Sequence, residues 1–253
     1  MVPNAPLPDY IEAWKIFRLA SNENEVFGTY LASKFNKAAG SDFSVLDIGT
    51  GDGKLLQNAL FRCKSKPTKV TVIEPDQEFL GECQRNLSIS SLSEDIEFVP
   101  SKLSEVDASK LTGHSFVIAA HVLYLIDWSE FRPLVEDLTD GTTILIIADS
   151  DDSIFSKIWR KTAPQHYDRL QETLSNLRKH YAHLIKSETP KSSKLIDPGY
   201  FRDDIRDMIL SLLSYTDVRD KDSETYDWVQ KKVAEHVDNG RISCDCQCIE
   251  LRL

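Results

Sequence analysis

Apolar positions in the first forty residues recur at helical spacing. Tyr10, Ala13, Trp14, Phe17 and Ala20 share one face of a predicted helix, and Asp9 with Glu12 forms a capping-box pattern at its start. Asn22 with Glu25 repeats that signal and predicts a second helix through about Lys37, closed by Ala39-Gly40-Ser41. Ahead of both, Pro3, Pro6 and Pro8 predict a loose tail. From Phe43 the pattern becomes short apolar runs alternating with amphipathic stretches. Phe43–Ile48 reads as a buried strand, Gly49–Gly53 as a turn, and Lys54–Cys63 as a helix with Leu55, Leu56, Ala59 and Leu60 inward. Lys69–Glu74 is a second strand ended by Pro75, and Asp76–Leu87 a second amphipathic helix. Ile96–Val99, Ser115–Ala120 and Thr143–Ala148 supply three further strands, with a helix at Ser129–Leu138. Strands alternating with helices predict an α/β fold whose parallel sheet is covered on both faces.

After Asp149 the alternation weakens. Helices are predicted around Ser153–Lys161, Tyr167–Lys179, Tyr200–Ser214 and Glu224–Val237, with a strand at Ala182–Ser187 and a closing strand at Ile242–Leu253. The expected organisation is a helical cap segment over 1–40, an α/β core over 41–150, and helices and terminal strands over 151–253 that complete the sheet. No internal repeat or low-complexity linker interrupts it.

Bulk composition narrows the partners. The chain has 253 residues, 41% hydrophobic and 28% charged, enough for a sizeable core. Its net charge of −10 argues against a nucleic-acid binder, which needs clustered Lys and Arg. No apolar run approaches the roughly 18–20 residues of a membrane span. Asp9, Glu12, Lys15, Glu23 and Glu25 interrupt any secretory apolar region. The five cysteines suit reduced thiols in a cytoplasmic protein, and a monomer is expected. Cys244, Cys246 and Cys248 would point to one strand face. They lack the paired C-x₂₋₄-C spacing of a metal site, so no metal is expected.

The chemistry concentrates at Val45-Leu46-Asp47-Ile48-Gly49-Thr50-Gly51-Asp52-Gly53. Glycines at 49, 51 and 53 let the chain turn sharply from strand to helix and approach a ligand closely. Dinucleotide-binding enzymes share such a loop, but the spacing here is G-x-G-x-G, with Asp47 and Asp52 flanking it. Carboxylates repel a diphosphate and attract a cationic aminoacyl group. Glu74, ending the second strand, is placed to accept both ribose hydroxyl protons of a nucleoside. A solvated strand-end residue is its structural alternative. Together these residues favour S-adenosylmethionine (AdoMet) over NAD as cofactor.

The motifs Asp47-Ile48-Gly49-Thr50-Gly51-Asp52-Gly53 and Val72-Ile73-Glu74-Pro75-Asp76 resemble those of Rossmann-like class I AdoMet-dependent methyltransferases. The resemblance implies a mostly parallel sheet with a C-terminal antiparallel strand. It also implies a glycine loop cradling the methionine part and Glu74 on the ribose. Gln77 or Phe79 would flank the adenosine. The segment Glu97-Phe98-Val99-Pro100-Ser101 would lead to the adenine contact, where the usual acidic residue is missing and Ser101 or Ser104 stands in.

From Tyr10 onward, scattered pieces are similar to the histamine N-methyltransferase family. They include Tyr10-Ile11-Glu12-Ala13-Trp14, Ser21-Asn22-Glu23, His121-Val122-Leu123-Tyr124, and Ser153 through Lys161. That likeness implies N-methylation of a small, cationic amine or imidazole acceptor. Glu23 would engage it, with Tyr124, Phe155 and Trp159 as pocket aromatics. His121, Leu125, Phe155 and Cys244 or Asp245 depart from the family pocket, so amine methylation is a firmer implication than histamine itself. An amine must be neutral to attack, which gives Glu23 or His121 the place of a base. Each has a structural alternative: acidic residues favour a helix's first turn in any case, His121 follows a buried strand, and Phe155 and Trp159 sit one turn apart at core spacing.

Overall fold

The computed structural model describes residues 10–38, 42–88, 92–93, 95–138, 140–215 and 222–253. The proline tail, Asp9 and the 39–41 helix end lie outside them. In chain order the helices are α1 (Tyr10–Ala20), α2 (Glu23–Ala38), α3 (Lys54–Phe61), α4 (Gln77–Ser88), α5 (Ala108–Leu111), α6 (Trp128–Asp137), α7 (Ile154–Thr162), α8 (Pro164–His180), α9 (Asp203–Ser214) and α10 (Ser223–Ala234). The strands are β1 (Ser44–Ile48), β2 (Lys69–Ile73), β3 (Asp95–Val99), β4 (Phe116–Ala120), β5 (Thr143–Asp149), β6 (Ile185–Ile196), β7 (Val237–Asp238) and β8 (Arg241–Arg252).

The strands pair in the order β3-β2-β1-β4-β5-β8-β6, with β7 on β8. The pairs β3–β2, β2–β1, β1–β4 and β4–β5 are parallel, with Val45 opposite both Val70 and Phe116. β8 runs the other way. Leu253 exchanges hydrogen bonds with Gly141 and Thr142 before β5, and Asp245 accepts from the Ser150 N–H just past its end. This is the Rossmann-like class I methyltransferase sheet, mostly parallel with an antiparallel C-terminal strand. Its switch point lies at β1, whose neighbours β2 and β4 lead their connections to opposite sides, leaving a crevice at the carboxyl ends.

The chain divides into two compact units. One comprises Met1–Glu23, Asp149–Asp168 and Pro190–Cys246; the other comprises Asn24–Ala148, Arg169–Thr189 and Gln247–Leu253. In the first, Ala13, Phe17 and Ala20 of α1 join a core with Ile158, Ile209, Leu213 and Val229. The α1 residues are those whose helical spacing was legible in the sequence. The chain leaving α1 is then stitched to β6. Ser21 bridges Leu195, Asn22 donates to the Lys194 carbonyl (3.1 Å), and the Asn22 side chain accepts the Lys194 N–H (2.7 Å). Asn22 therefore serves the strand. The first N–H of α2, that of Glu23, goes to Ser21 Oγ (3.1 Å).

In the second unit β1, β2, β4 and β5 are buried along nearly their whole length. Both faces are covered, as their continuous apolar runs require. Phe35 of α2 seats edge-on against Phe116 of β4 (centroids 4.8 Å apart), with Phe43 beside both. Gly28 permits the close approach of α2 to α3, since a Cβ there would lie 2.8 Å from Asn58 Cβ.

Phe35 is wholly buried in this aromatic cluster. Phe35→Ala is expected to cost about 3–5 kcal/mol in urea unfolding. A loss below about 1 kcal/mol would mean the cluster is not packed in solution as described.

Candidate functional site

The glycine loop lies wholly in the second unit. β1 ends at Ile48, and Gly49 (φ 64°), Gly51 (φ 58°) and Gly53 (φ 72°) all take left-handed backbone conformations, which only glycine adopts without strain. Space is short as well. A Cβ on Gly49 would come 2.5 Å from Val122 Cγ2, and one on Gly53 would come 2.7 Å from Cys83 Sγ. The loop is pinned from below. Gly49 donates to the Ile73 carbonyl (2.8 Å), Gly53 to the Thr50 carbonyl (3.1 Å), and Asn86 Nδ2 to the Asp52 carbonyl (2.8 Å).

Glu74 joins the loop to the exit of β2. Its Oε2 accepts the Gly51 N–H (2.9 Å) and its Oε1 the Asp76 N–H (3.0 Å). Burial pushes the Glu74 carboxyl up. The backbone N–H groups of Asp76 and Gly51 oppose that rise, and the charge of Asp76 adds to it. Two further acids are buried close by: Asp47 and Asp52 are 5% and 1% exposed, against 7% for Glu74. Asp47 Oδ2 accepts the Thr50 hydroxyl (2.7 Å). Asp52 accepts the Lys54 N–H (3.0 Å), and its other oxygen meets the Lys54 ammonium at 3.2 Å.

Gln77 is exposed and opens α4, while Asp76 caps that helix by accepting the N–H groups of Glu78 (2.9 Å) and Phe79 (3.0 Å). Ser101 is half-buried after β3, its N–H donating to the Val99 carbonyl (3.0 Å). His121 and Tyr124 follow β4. His121 takes φ 51°, its N–H reaches the Ile147 carbonyl (2.8 Å), and its ring lies edge-on to Phe27 (5.4 Å). A left-handed histidine at a strand's carboxyl end is stored strain, which clusters at functional sites. The loop and Glu74 are thus brought together directly, with Gln77 and Asp76 beyond them on the same β2–α4 connection.

Glu23, Phe155, Trp159 and Cys244 belong to the first unit. Glu23 Oε1 accepts from Arg18 Nη1 (3.1 Å), and the Arg18 guanidinium lies 4.3 Å from the Trp14 ring centroid. Phe155 packs edge-on against Phe17 (6.0 Å) and beside Trp159 (5.8 Å). Cys244 is buried in the same core, where burial first and the charges of Asp149 and Glu23 next push its thiol up. Cys246 is buried too, its thiol 3.9 Å from Asp149 Oδ1.

Sequence reasoning missed the stacking of Arg18 on Trp14 and the anchoring of the loop by Asn86. For the first a signal existed: Trp14 and Arg18 stand at i, i+4 on one helix face. Asn86 bonds a loop thirty-four positions away, and nothing in its neighbourhood announces that.

No protein-family model and no curated protein sequence matches the chain, so no sequence match stands behind the piecewise likeness to histamine N-methyltransferases. Solved structures do match. A protein assigned as a methyltransferase from Bacillus halodurans is 13% identical over 88% of this chain and 98% of that one, at a TM-score of 0.57. The plantazolicin methyltransferase in complex with SAH is 13% identical over 97% and 90%, at 0.53. A protein assigned as an RNA methyltransferase from Pyrococcus horikoshii is 11% identical over 89% and 82%, at 0.50. At these identities the likeness is one of fold.

The strain at His121 is measurable. Glycine normally destabilises relative to alanine by about 0.5–1 kcal/mol, but a left-handed residue reverses that order. His121→Gly is expected to be more stable than His121→Ala by about 1 kcal/mol in urea unfolding. The ordinary order would mean that the left-handed turn does not persist in solution.

Proposed function

We propose that this chain is an AdoMet-dependent methyltransferase that N-methylates a small amine or imidazole compound. The observation that carries the reading is the charge of the loop. Three carboxylates, Asp47, Asp52 and Glu74, are buried at and beside it, and the cation paired there, Lys54, has a side chain 41% exposed. A diphosphate would meet repulsion at such a loop, whereas an aminoacyl sulfonium brings positive charge. Three left-handed glycines let the chain make this turn, with Gly49 and Gly53 packed close against Val122 and Cys83. Each Glu74 oxygen accepts one backbone N–H and keeps a lone-pair direction for a ribose hydroxyl. SAH, the demethylated form of AdoMet, accompanies the plantazolicin methyltransferase, which shares the fold.

AdoMet supplies an electrophilic methyl: the acceptor nitrogen's lone pair forms the new N–C bond as the C–S bond breaks, leaving its electrons on sulfur. The protein's part is to orient the nitrogen, keep water away and take the proton that the ammonium sheds first. Gln77 and Ser101 flank the adenosine in this reading. Glu23 engages the acceptor and, being already matched by Arg18, acts by position. His121 takes the proton on its imidazole. Tyr124, Phe155 and Trp159 offer aromatic faces to developing positive charge, and Cys244 lines the acceptor side.

A labelled-AdoMet assay against amines, imidazoles, phenols and thiols tests the reaction. Transfer to nitrogen supports this reading. Transfer only to phenols or thiols would reassign the enzyme to O- or S-methylation, and AdoMet binding without any transfer would make it a binding protein.

Glu74→Gln is expected to weaken AdoMet binding about 10–100-fold in calorimetry. The sign with pH follows from burial, which raises the Glu74 carboxyl. Protonation removes a ribose acceptor, so wild-type affinity should fall on acidification, beginning above the range of an ordinary carboxylate. That slope should vanish in Glu74→Gln; an unchanged affinity would remove Glu74 from the ribose.

A further inference from the structure

Asn86, in the last turn of α4, bonds into the glycine loop from thirty-four positions away. Its Nδ2 donates to the Asp52 carbonyl (2.8 Å), and its own backbone carbonyl accepts from Gln57 Nε2 of α3. Gln57 in turn donates its N–H to the Gly53 carbonyl (2.8 Å). One helical turn before Asn86, Cys83 is wholly buried against Gly53, where an added Cβ would come 2.7 Å from its Sγ. The polar and apolar contacts of α4 thus meet at one peptide, that joining Asp52 to Gly53. Loop, α3 and α4 all belong to the second unit.

That peptide needs a hold from outside the loop. Glycine takes positive and negative φ about equally well, so a flip carrying Gly53 away from φ 72° is sterically open to it. Gly53 is also the N-cap of α3, with no side-chain cap bond. A flip would take the Asp52 carbonyl from Asn86 and the Gly53 N–H from the Thr50 carbonyl (3.1 Å) together. The Gly51 N–H, just before, is held by Glu74 (2.9 Å). Glu74 and Asn86 therefore fix successive parts of the loop, Glu74 from the exit of β2 and Asn86 at the entry to α3. A loop fixed before its ligand arrives spares the ordering cost at binding.

We infer that Asn86 is a positioning residue for the cofactor: it holds the loop in the form that receives the aminoacyl chain of AdoMet and takes no part in holding the nucleoside. This rests on the proposed AdoMet binding and names the residue on which its aminoacyl half depends.

SAH and methylthioadenosine share the thioether nucleoside and differ in the aminoacyl chain, so the ratio of their affinities isolates that chain. Both are titrated calorimetrically into the wild-type protein, Asn86→Ala and Glu74→Gln. Asn86→Ala is expected to weaken SAH about tenfold and methylthioadenosine by less than about twofold, while Glu74→Gln weakens both. Asn86→Gln, which keeps the amide donor on a longer stem, should recover part of the SAH loss. Should Asn86→Ala not fold, Asn86→Ser, too short to reach the carbonyl, takes its place. Equal losses of both ligands, or no loss of SAH, overturns the inference and leaves Asn86 a tie between α3 and α4. Equal wild-type affinity for the two ligands overturns it as well, while leaving a nucleoside cofactor in place. Failure of the wild-type protein to bind either ligand would instead count against the proposed function, so the two failures are separable.

Discussion

A buried carboxylate at the end of β2 holds the cofactor side of this fold together. Glu74 accepts one N–H from the glycine loop after β1 and one from its own connection to α4. Those two N–H groups belong to adjacent βα turns, so one side chain sets their spacing. Adjacent parallel strands already place the turns side by side, and Gly49 completes the junction by donating to the Ile73 carbonyl. Burying an acid costs several kcal/mol unless hydrogen bonds meet it. Here the loop's backbone meets it in part, and the residual strain appears as the raised carboxyl. The loop's shape and the acid's burial are thus one arrangement.

That arrangement selects for charge. Asp47 is the one acidic residue of β1, among Val45, Leu46 and Ile48, and it accepts from Thr50 within the loop. Asp52 is satisfied by the first N–H of α3, which gives that helix its start. Each acid therefore has a local structural partner and also adds negative potential at the start of α3, where helix N-termini more often welcome anions. A dinucleotide fold leaves that end electropositive. Here the buried carboxylates Asp47, Asp52 and Glu74 make that end acidic, which suits a cationic nucleoside better than a diphosphate.

Legibility in the sequence tracked how local the determining forces were. The buried strands β1, β2, β4 and β5 and their intervening helices were readable because a strand covered on both faces must be apolar throughout. The loop glycines were readable because left-handed turns admit little else. β6 was only glimpsed. A strand was expected at Ala182–Ser187, whereas Ala182–Leu184 forms a 3-10 turn and the strand runs Ile185–Ile196. Its residues are polar on both sides and include Pro190, the composition of an edge strand protected against pairing, and it ends the sheet. α5 was not foreseen either, since four residues carry no periodicity. Asn22 was read as a cap because its type suits one, yet its side chain serves Lys194, distant in sequence.

The same distinction separates the two halves of the candidate site. The cofactor residues act through backbone geometry and one nearby acid, which spacing records. The residues expected on the acceptor side have partners that spacing records poorly. Glu23 in isolation reads as a trap for cations, and that expectation follows from its charge alone. In the structure Arg18 stands against it at 3.1 Å, so that charge is partly matched within the protein. What surrounds a carboxylate bears on its recognition, because desolvation falls on net unmatched charge. The surroundings of this carboxylate are therefore written in Trp14 and Arg18 on α1 as much as in Glu23.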